Sequence, residues 1–428
     1  MIDREDTLDE AITRLARTES GRVLALLARR FNDLDLADEA VQEALIEAVR
    51  VWPERGVPVN PAGWLLAVAR RKAIDLVRRR SSAYRRTMSS AVELAGETGG
   101  AGDQSGTQPL IDEGSDLTVQ LTDEQLRLLL LCCHPALDRD TQIALTLRLV
   151  GGLTTFEIAS AFVLPEPTLA QRIVRAKRKI RDAGIPLSVP AALDGRVDAL
   201  LAVIYLIFNE GYLSHNADTD PVRVDLVHEA LRLTRLVVDL LPQRPEVEGL
   251  LALELFSASR VATRTDPSRE LVLLDEQDRS RWDKGMIDEA NRVLFQSMSR
   301  MRPGPYQVQA VIASHHANAR TAADTDWSAI AGLYRQLLQM TQSPVVALNH
   351  AVAVAMADGP HAGLSLLAGL TGLENYHLFH AARGELLLRA DDHDAAVASF
   401  AHARSLTTNA AEQRHLERRI AHAERERG

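Results

Sequence analysis

The feature that most constrains this chain is a stretch that cannot fold by itself. Residues 89–116, SSAVELAGETGGAGDQSGTQPLIDEGSD, are rich in Gly, Ser, Thr and acids. They hold too little apolar surface to offset the entropy lost on ordering them. A flexible linker is therefore expected over residues 87–118, and the chain must build packed units on either side of it. Aromatic residues make up only 4% of the 428, while Ala, Leu and Arg dominate. That balance favours helices over strands, which prefer aromatic and β-branched side chains. The expected fold class is all-α.

Several classes of protein are disfavoured. Cys132 and Cys133 are neighbours. Adjacent cysteines cannot staple a fold and match no zinc spacing, which suits a reducing, cytoplasmic setting. The N-terminal MIDREDTLDE is acidic and polar, unlike a secretory signal. The longest apolar run, ALLAVIYLIF at 199–208, is too short to span a bilayer. A net charge of −9 argues against a protein that coats nucleic acid with its whole surface, but permits a local basic face.

Such a face exists in LTTFEIASAFVLPEPTLAQRIVRAKRKIR, residues 153–181. Thr154 followed by Glu157 is a capping box that starts a short helix. Phe156, Ile158, Ala159 and Phe162 supply its buried side. Pro165 or Pro167 then suits the first turn of a second helix, where a missing N–H costs little. In that helix Leu169, Ile173, Ala176 and Ile180 share one face. Thr168, Gln171, Arg172, Arg175, Arg178 and Lys179 lie largely elsewhere. This is the geometry that sets a recognition helix in the major groove, where Arg pairs with guanine, Gln with adenine, and Lys with phosphate. On its own the segment leaves two readings open, a DNA reader and a solvated helix face.

Two upstream elements bear on that choice. NPAGWLLAVARRKAIDLVRRR, residues 60–80, opens with Asn60 and then Pro61 at the first helical position. Trp64, Leu65, Val68, Ile74, Leu76 and Val77 offer an apolar surface, and Arg70, Arg71, Lys72, Arg78, Arg79 and Arg80 are basic. DLADEAVQEALIEAVRVW, residues 35–52, is an amphipathic helix expected to expose Asp38, Glu39, Gln42 and Glu43. An acidic face would repel DNA, so it is expected to meet protein.

Taken in order, these segments resemble extracytoplasmic-function sigma factors of the sigma-70 family, subunits of bacterial RNA polymerase. The resemblance covers sigma region 2 at 8–86, the linker at 87–118 and region 4, a helix-turn-helix, at 119–185. The remaining chain is similar to the long C-terminal extension of a sigma-factor subgroup, a helical extension at 190–300 and tetratricopeptide-like helices at 301–428. The resemblance implies RNA polymerase core and promoter DNA as partners, with no cofactor and no membrane. Asp38, Glu39, Gln42 and Glu43 match the helix that grips the polymerase. Asn60, Trp64, Arg70, Arg71, Lys72, Arg78 and Arg79 match the segment that recognises and melts the −10 element. Thr168, Gln171, Arg172, Arg175, Arg178 and Lys179 match the −35 reading helix. The turn PERGVPVNPAG is Gly/Pro/Val-rich where many relatives are Ser/Thr-rich, which leaves the −10 base preference open.

The C-terminal half carries weaker signals. Gly384, Ala396, Phe400 and Ala403 have tetratricopeptide offsets, and one period back Ala362 and Leu366 again read small then large. No catalytic constellation is expected. His315 and His316 fall on different helix faces, and HEALR at His228 lacks the second histidine of a zinc-protease motif. The Cys132 and Cys133 thiols read as packing. FNEGY at 208–212 reads as a polar turn after an apolar helix, with a ligand or interface site as the alternative. Against the sigma-factor reading stands a free-standing helix-turn-helix regulator whose repeat domain binds a ligand or partner. Such a regulator would need neither the acidic helix nor the first basic one.

Overall fold

The computed structural model describes residues 4–94, 117–162, 164–185, 193–212, 222–267, 270–407 and 409–427. Most of the expected linker lies outside these residues. The described chain is helical, with a single isolated β-bridge between Thr265 and Leu271. It divides into two compact units, residues 1–203 and 204–428. None of the described helices is long and apolar enough to cross a membrane.

The first unit begins with α1 (Arg4–Phe31), α2 (Leu34–Arg55) and α3 (Pro61–Leu94), which pack on one another as a bundle. Their seam is lined by small and aliphatic residues, among them Ala25, Ala37, Val41, Ala44, Leu65 and Ala69, all fully buried. Asp33 starts α2 by accepting from the Leu36 N–H at 2.9 Å. Asn60 starts α3 by accepting from the Gly63 N–H at 2.9 Å. After α3 come α4 (Leu117–Cys132), α5 (Arg139–Leu145) with a π-turn at Thr146–Val150, α6 (Thr155–Ala161) and α7 (Glu166–Asp182). The N-terminus of α4–α7 leans on α1. Then α8 (Asp194–Tyr212) carries the chain into the second unit.

The second unit continues as α9 (Val224–Leu240), α10 (Pro245–Ala258), α11 (Lys284–Ser299), α12 (Pro305–Asn318) and α13 (Trp327–Thr341). It ends with α14 (Pro344–Asp358), α15 (Pro360–Leu367), α16 (His377–Arg389), α17 (His393–Leu406) and α18 (Ala410–Arg427). From α13 onward each helix packs mainly on its sequence neighbours, as in stacked helical hairpins, whereas α12 packs chiefly on α10. Prolines at α10, α12, α14 and α15 sit in the first turn, where the lost N–H has no intrahelical partner anyway.

Gly384 allows the α16–α17 pair to close. A Cβ there would lie 2.6 Å from the Phe400 ring, and Ala396, Phe400 and Ala403 are fully buried beside it. The expected partner repeat is displaced by one residue. Gly363 and Leu367 are buried, whereas Leu366 is 39% exposed. Gly363 takes the close approach, since a Cβ there would meet Ala355 at 2.4 Å. Helix phase is set by which residue meets the neighbouring helix, and a count of one period cannot see that. FNEGY also differs from expectation: residues 208–212 are the last turn of α8.

Glu254 is fully buried in α10, and burial pushes its carboxyl up to about 8. The folded state thus keeps a proton that the unfolded chain releases near the ordinary carboxyl range. Stability should fall as pH rises from about 5 to 8, by up to about 1.4 kcal/mol per pH unit from this group, and level off above that. Glu254→Gln should flatten this dependence in urea unfolding at pH 5, 7 and 9. Gly384→Val should destabilise the second unit by about 1–3 kcal/mol through overpacking against Phe400, read by thermal unfolding of the full chain.

Candidate nucleic-acid interface

The helix pair within residues 153–181 is built largely as its sequence indicates. The Thr154 hydroxyl accepts from the Glu157 N–H at 3.1 Å, and the Glu157 carboxylate accepts from the Thr154 N–H at 2.7 Å, so both halves of the capping box form. Pro165 caps α7 and Pro167 lies in its first turn. Leu169, Ile173, Ala176 and Ile180 are all buried. One expectation fails in α6: Ile158 and Ala159 are buried, but Phe156 is 67% exposed. It sits in the first turn of α6, and Phe162 at the end of the helix is half-buried.

With that seam inward, Thr168, Gln171, Val174, Arg175 and Arg178 face out from α7. Arg175 donates to the Gln171 carbonyl of its own helix at 3.3 Å. Arg178 pairs with Asp182 at 3.3 Å, an exposed pair on one helix worth only about 0.3–0.5 kcal/mol and readily given up. Arg172 is half-buried and reaches Asp140 at 3.2 Å. Lys179 donates to the Ala136 carbonyl at 2.5 Å. The freest row therefore runs through Thr168, Gln171 and Arg175, near the helix start, where recognition helices meet base edges.

The first basic element is partly neutralised within the bundle. Lys72 lies 3.2 Å from Glu47 and 3.7 Å from Glu43, and Arg79 is 4.0 Å from Glu43. Arg80 bridges Asp33 and Glu39 at 2.9 and 3.0 Å. The hydrogen bonds from Lys72 and Arg50 hold the Glu47 carboxyl below its usual range. Arg70 and Arg71 remain exposed, and Arg78 reaches only Asp75, at 4.0 Å. Trp64 is half-buried, its ring edge-to-face with buried Trp52 at 5.3 Å.

Of the four residues expected to be exposed on the acidic helix, only Glu39 is fully so; Gln42 and Glu43 are half-buried, and Asp38 departs furthest. Asp38 is 7% exposed: Lys177 of α7 lies 2.5 Å from its carboxylate, and Arg148 3.8 Å. Asp35 adds Arg181 at 2.8 Å and Lys177 at 3.7 Å. Lys177, which the sequence reading did not single out, is thus the buried side chain that joins α7 to α2, with Arg181 pairing beside it at the surface. No local pattern announces it, because its partner is 139 residues away. Backbone contact reinforces the junction. Gly152 has φ +67°, and a Cβ there would lie 2.2 Å from the Ala16 carbonyl oxygen of α1. The surface of α2 that does stay open runs through Glu39, Gln42, Ile46 and Val49, at spacings that place them on one face. Ile46 and Val49 are 68% and 56% exposed, two uncovered aliphatics that the charge pattern did not flag.

The described residues hold no group of three or more His, Cys, Asp or Glu side chains placed to hold a metal ion. Cys132 and Cys133 are buried, and burial pushes the Cys133 thiol up to about 12, far from a reactive thiolate. His316 packs edge-on against Trp327 at 5.1 Å.

Comparison with known families agrees with this geometry. Residues 15–83 match the model of sigma-70 region 2, and residues 127–180 match sigma-70 region 4. Residues 196–298 match a family of unknown function, DUF6596. The uncharacterized protein R00370 of Rhizobium meliloti (strain 1021) is 42% identical over 409 residues, covering 94% of this chain and 93% of that protein. The α1–α3 bundle is thus region 2, α4–α7 carries region 4, and the chain belongs to the sigma-70 family of RNA polymerase sigma factors, with a helical C-terminal domain appended.

Proposed function

We propose that this sigma factor divides its labour among three surfaces. In α7, Thr168, Gln171, Arg172, Arg175, Arg178 and Lys179 meet the −35 element, with Thr168, Gln171 and Arg175 at the bases and the rest on phosphate. In region 2, Asn60, Trp64, Arg70, Arg71, Lys72, Arg78 and Arg79 engage the −10 element, Lys72 and Arg79 exchanging Glu43 for phosphate. The open face of α2, Glu39, Gln42 and Glu43 with Ile46 and Val49, docks on core polymerase. Asp38 joins it once Lys177 and Arg148 release it. The observation that carries this reading is the exposed row on α7, following a complete region 2 in the same chain.

The docked arrangement of the two regions is then a resting state. Promoter elements two helical turns apart are separated by roughly 70 Å. Regions held together by a 2.5 Å ion pair cannot reach both, so α7 must leave α2 when the promoter is bound. The appended domain, whose α14–α18 hairpins we assign as tetratricopeptide-like, regulates this transition by binding a partner or ligand in the cytoplasm.

The direct test is run-off transcription with purified full-length protein and bacterial core polymerase on a promoter library. Promoter-specific transcripts are expected. Promoter binding with neither transcripts nor core association would instead indicate a free-standing regulator. Arg175→Ala should cost about 1–3 kcal/mol of discrimination at one −35 base pair and leave core affinity unchanged. Ile46→Glu should do the reverse. Lys177→Ala strands a buried carboxylate, a change that costs about 3–5 kcal/mol where the pair is fully buried. It should separate region 2 from region 4, seen as a longer distance between spin labels on α2 and α7, and should raise core affinity.

A further inference from the structure

The FNEGY segment is not used by any surface above, yet its geometry is specific. Gly211 lets the start of α9 abut α8, because a Cβ there would lie 2.6 Å from the Val227 N–H and 3.0 Å from the Arg223 carbonyl. That close approach holds Tyr212, whose ring stacks on Phe208 at 5.7 Å and 17°. Two guanidinium groups from the turn after α10 then converge on the Tyr212 ring. The carbon of Arg264 lies 3.8 Å from the ring centroid and that of Arg260 5.2 Å. A third, Arg279, stands over Trp282 at 4.6 Å and donates to the carbonyls of His316 and Ala319.

The two guanidinium groups on Tyr212 have no carboxylate paired with them among the described residues, and the charge of Asp324 acts on Arg279 alone of the three. Several other arginines of the second unit do hold carboxylates: Arg235 with Glu289, Arg300 with Glu248, Arg414 and Arg418 with Glu270, and Arg419 with Glu385. Among the described residues no ion pair involves Arg260, Arg264 or Arg279. Burial and the neighbouring Arg264 and Arg279 lower Arg260 from its usual range, and burial with Arg260 and Arg279 drives His316 down to about 4. Two hydrogen-bonding atoms at the same place are buried without a partner, the Nε of Arg264 and the hydroxyl of Tyr212. Stacking on a ring uses the face of a guanidinium and leaves its in-plane N–H groups free. Those N–H groups form a fork that fits two oxygens of one oxyanion.

We propose that Arg260, Arg264 and the Tyr212 hydroxyl form a binding site for a small oxyanion, the phosphoryl group of a free phosphate-bearing molecule. The tyrosine ring pre-orients both guanidinium groups, and the anion supplies the charge and the acceptors that the protein withholds. Arg260 is half-buried and withdrawn from the surface, which favours a small solute over the backbone of a nucleic-acid duplex. The site lies in the domain of unknown function, so it goes beyond the promoter-recognition reading and does not depend on it.

The test is calorimetric titration of the full chain with inorganic phosphate, beside thermal unfolding in phosphate and in chloride at equal ionic strength. Saturable one-site binding and a higher unfolding midpoint in phosphate are expected. Arg260→Gln and Arg264→Gln should each weaken binding at least tenfold. Without phosphate they should unfold no lower than the unaltered protein, since each removes one of two repelling charges. Tyr212→Phe keeps the ring and loses only the hydroxyl, so it should fold normally and bind several-fold more weakly. Equal midpoints in the two salts, or unchanged phosphate affinity in Arg264→Gln and Tyr212→Phe, would overturn the site. A parallel fall in duplex DNA affinity in the two arginine variants would overturn the assignment to a small solute.

Discussion

The Asp38 carboxylate, buried between Lys177 and Arg148, is the contact on which the arrangement of the first unit turns. A buried ion pair adds little net stability when it forms, because both charges lose their water. Breaking it is costly, since it leaves one charge stranded. Such a contact therefore specifies an arrangement more than it strengthens one. Here it ties α7 to α2 through side chains, while Gly152 allows the backbone just before α6 to approach α1. The same helix α7 thus has two faces with different duties. Lys177 and Arg181 point to region 2, while Thr168, Gln171 and Arg175 point away from it.

This division resolves the apparent conflict between an acidic chain and a DNA-binding role. The basic residues of α3 are not a free patch. Lys72, Arg79 and Arg80 sit among Asp33, Glu39, Glu43 and Glu47, so their field is largely cancelled at short range. Exposed pairs of this kind are weak and exchangeable. An incoming phosphate can therefore replace such partners at small cost. The C-terminal unit follows another logic. Several of its arginines hold carboxylates, whereas Arg260 and Arg264 meet on the Tyr212 ring.

Much of the architecture was legible from local pattern. The capping box at Thr154, the proline starts, and the inward row Leu169, Ile173, Ala176 and Ile180 depend on residues within a few positions of each other, and all stand in the structure. The close-packed set Gly384, Ala396, Phe400 and Ala403 also obeys short spacing rules. Failures came where a distant partner decides. Phe156 is apolar and in helical register, but nothing covers the first turn of α6 on its side. The count that chose Ala362 and Leu366 missed by one residue, because the contact of Gly363 with Ala355 sets the helix phase.

The residue types on each helix face, and the order of the two sigma regions, were determined by the sequence alone, since helix periodicity and capping act over a turn or two. Which charges are free was decided only by the tertiary structure. Asp38 and Glu39 are neighbours in one acidic helix, yet the first is buried against Lys177 and the second faces out. Arg260 and Arg264 look like any other arginines in sequence, and only folding places them on one ring. Coulomb energy depends on distance in space, and distance in space across a hundred residues is a property of the packed chain.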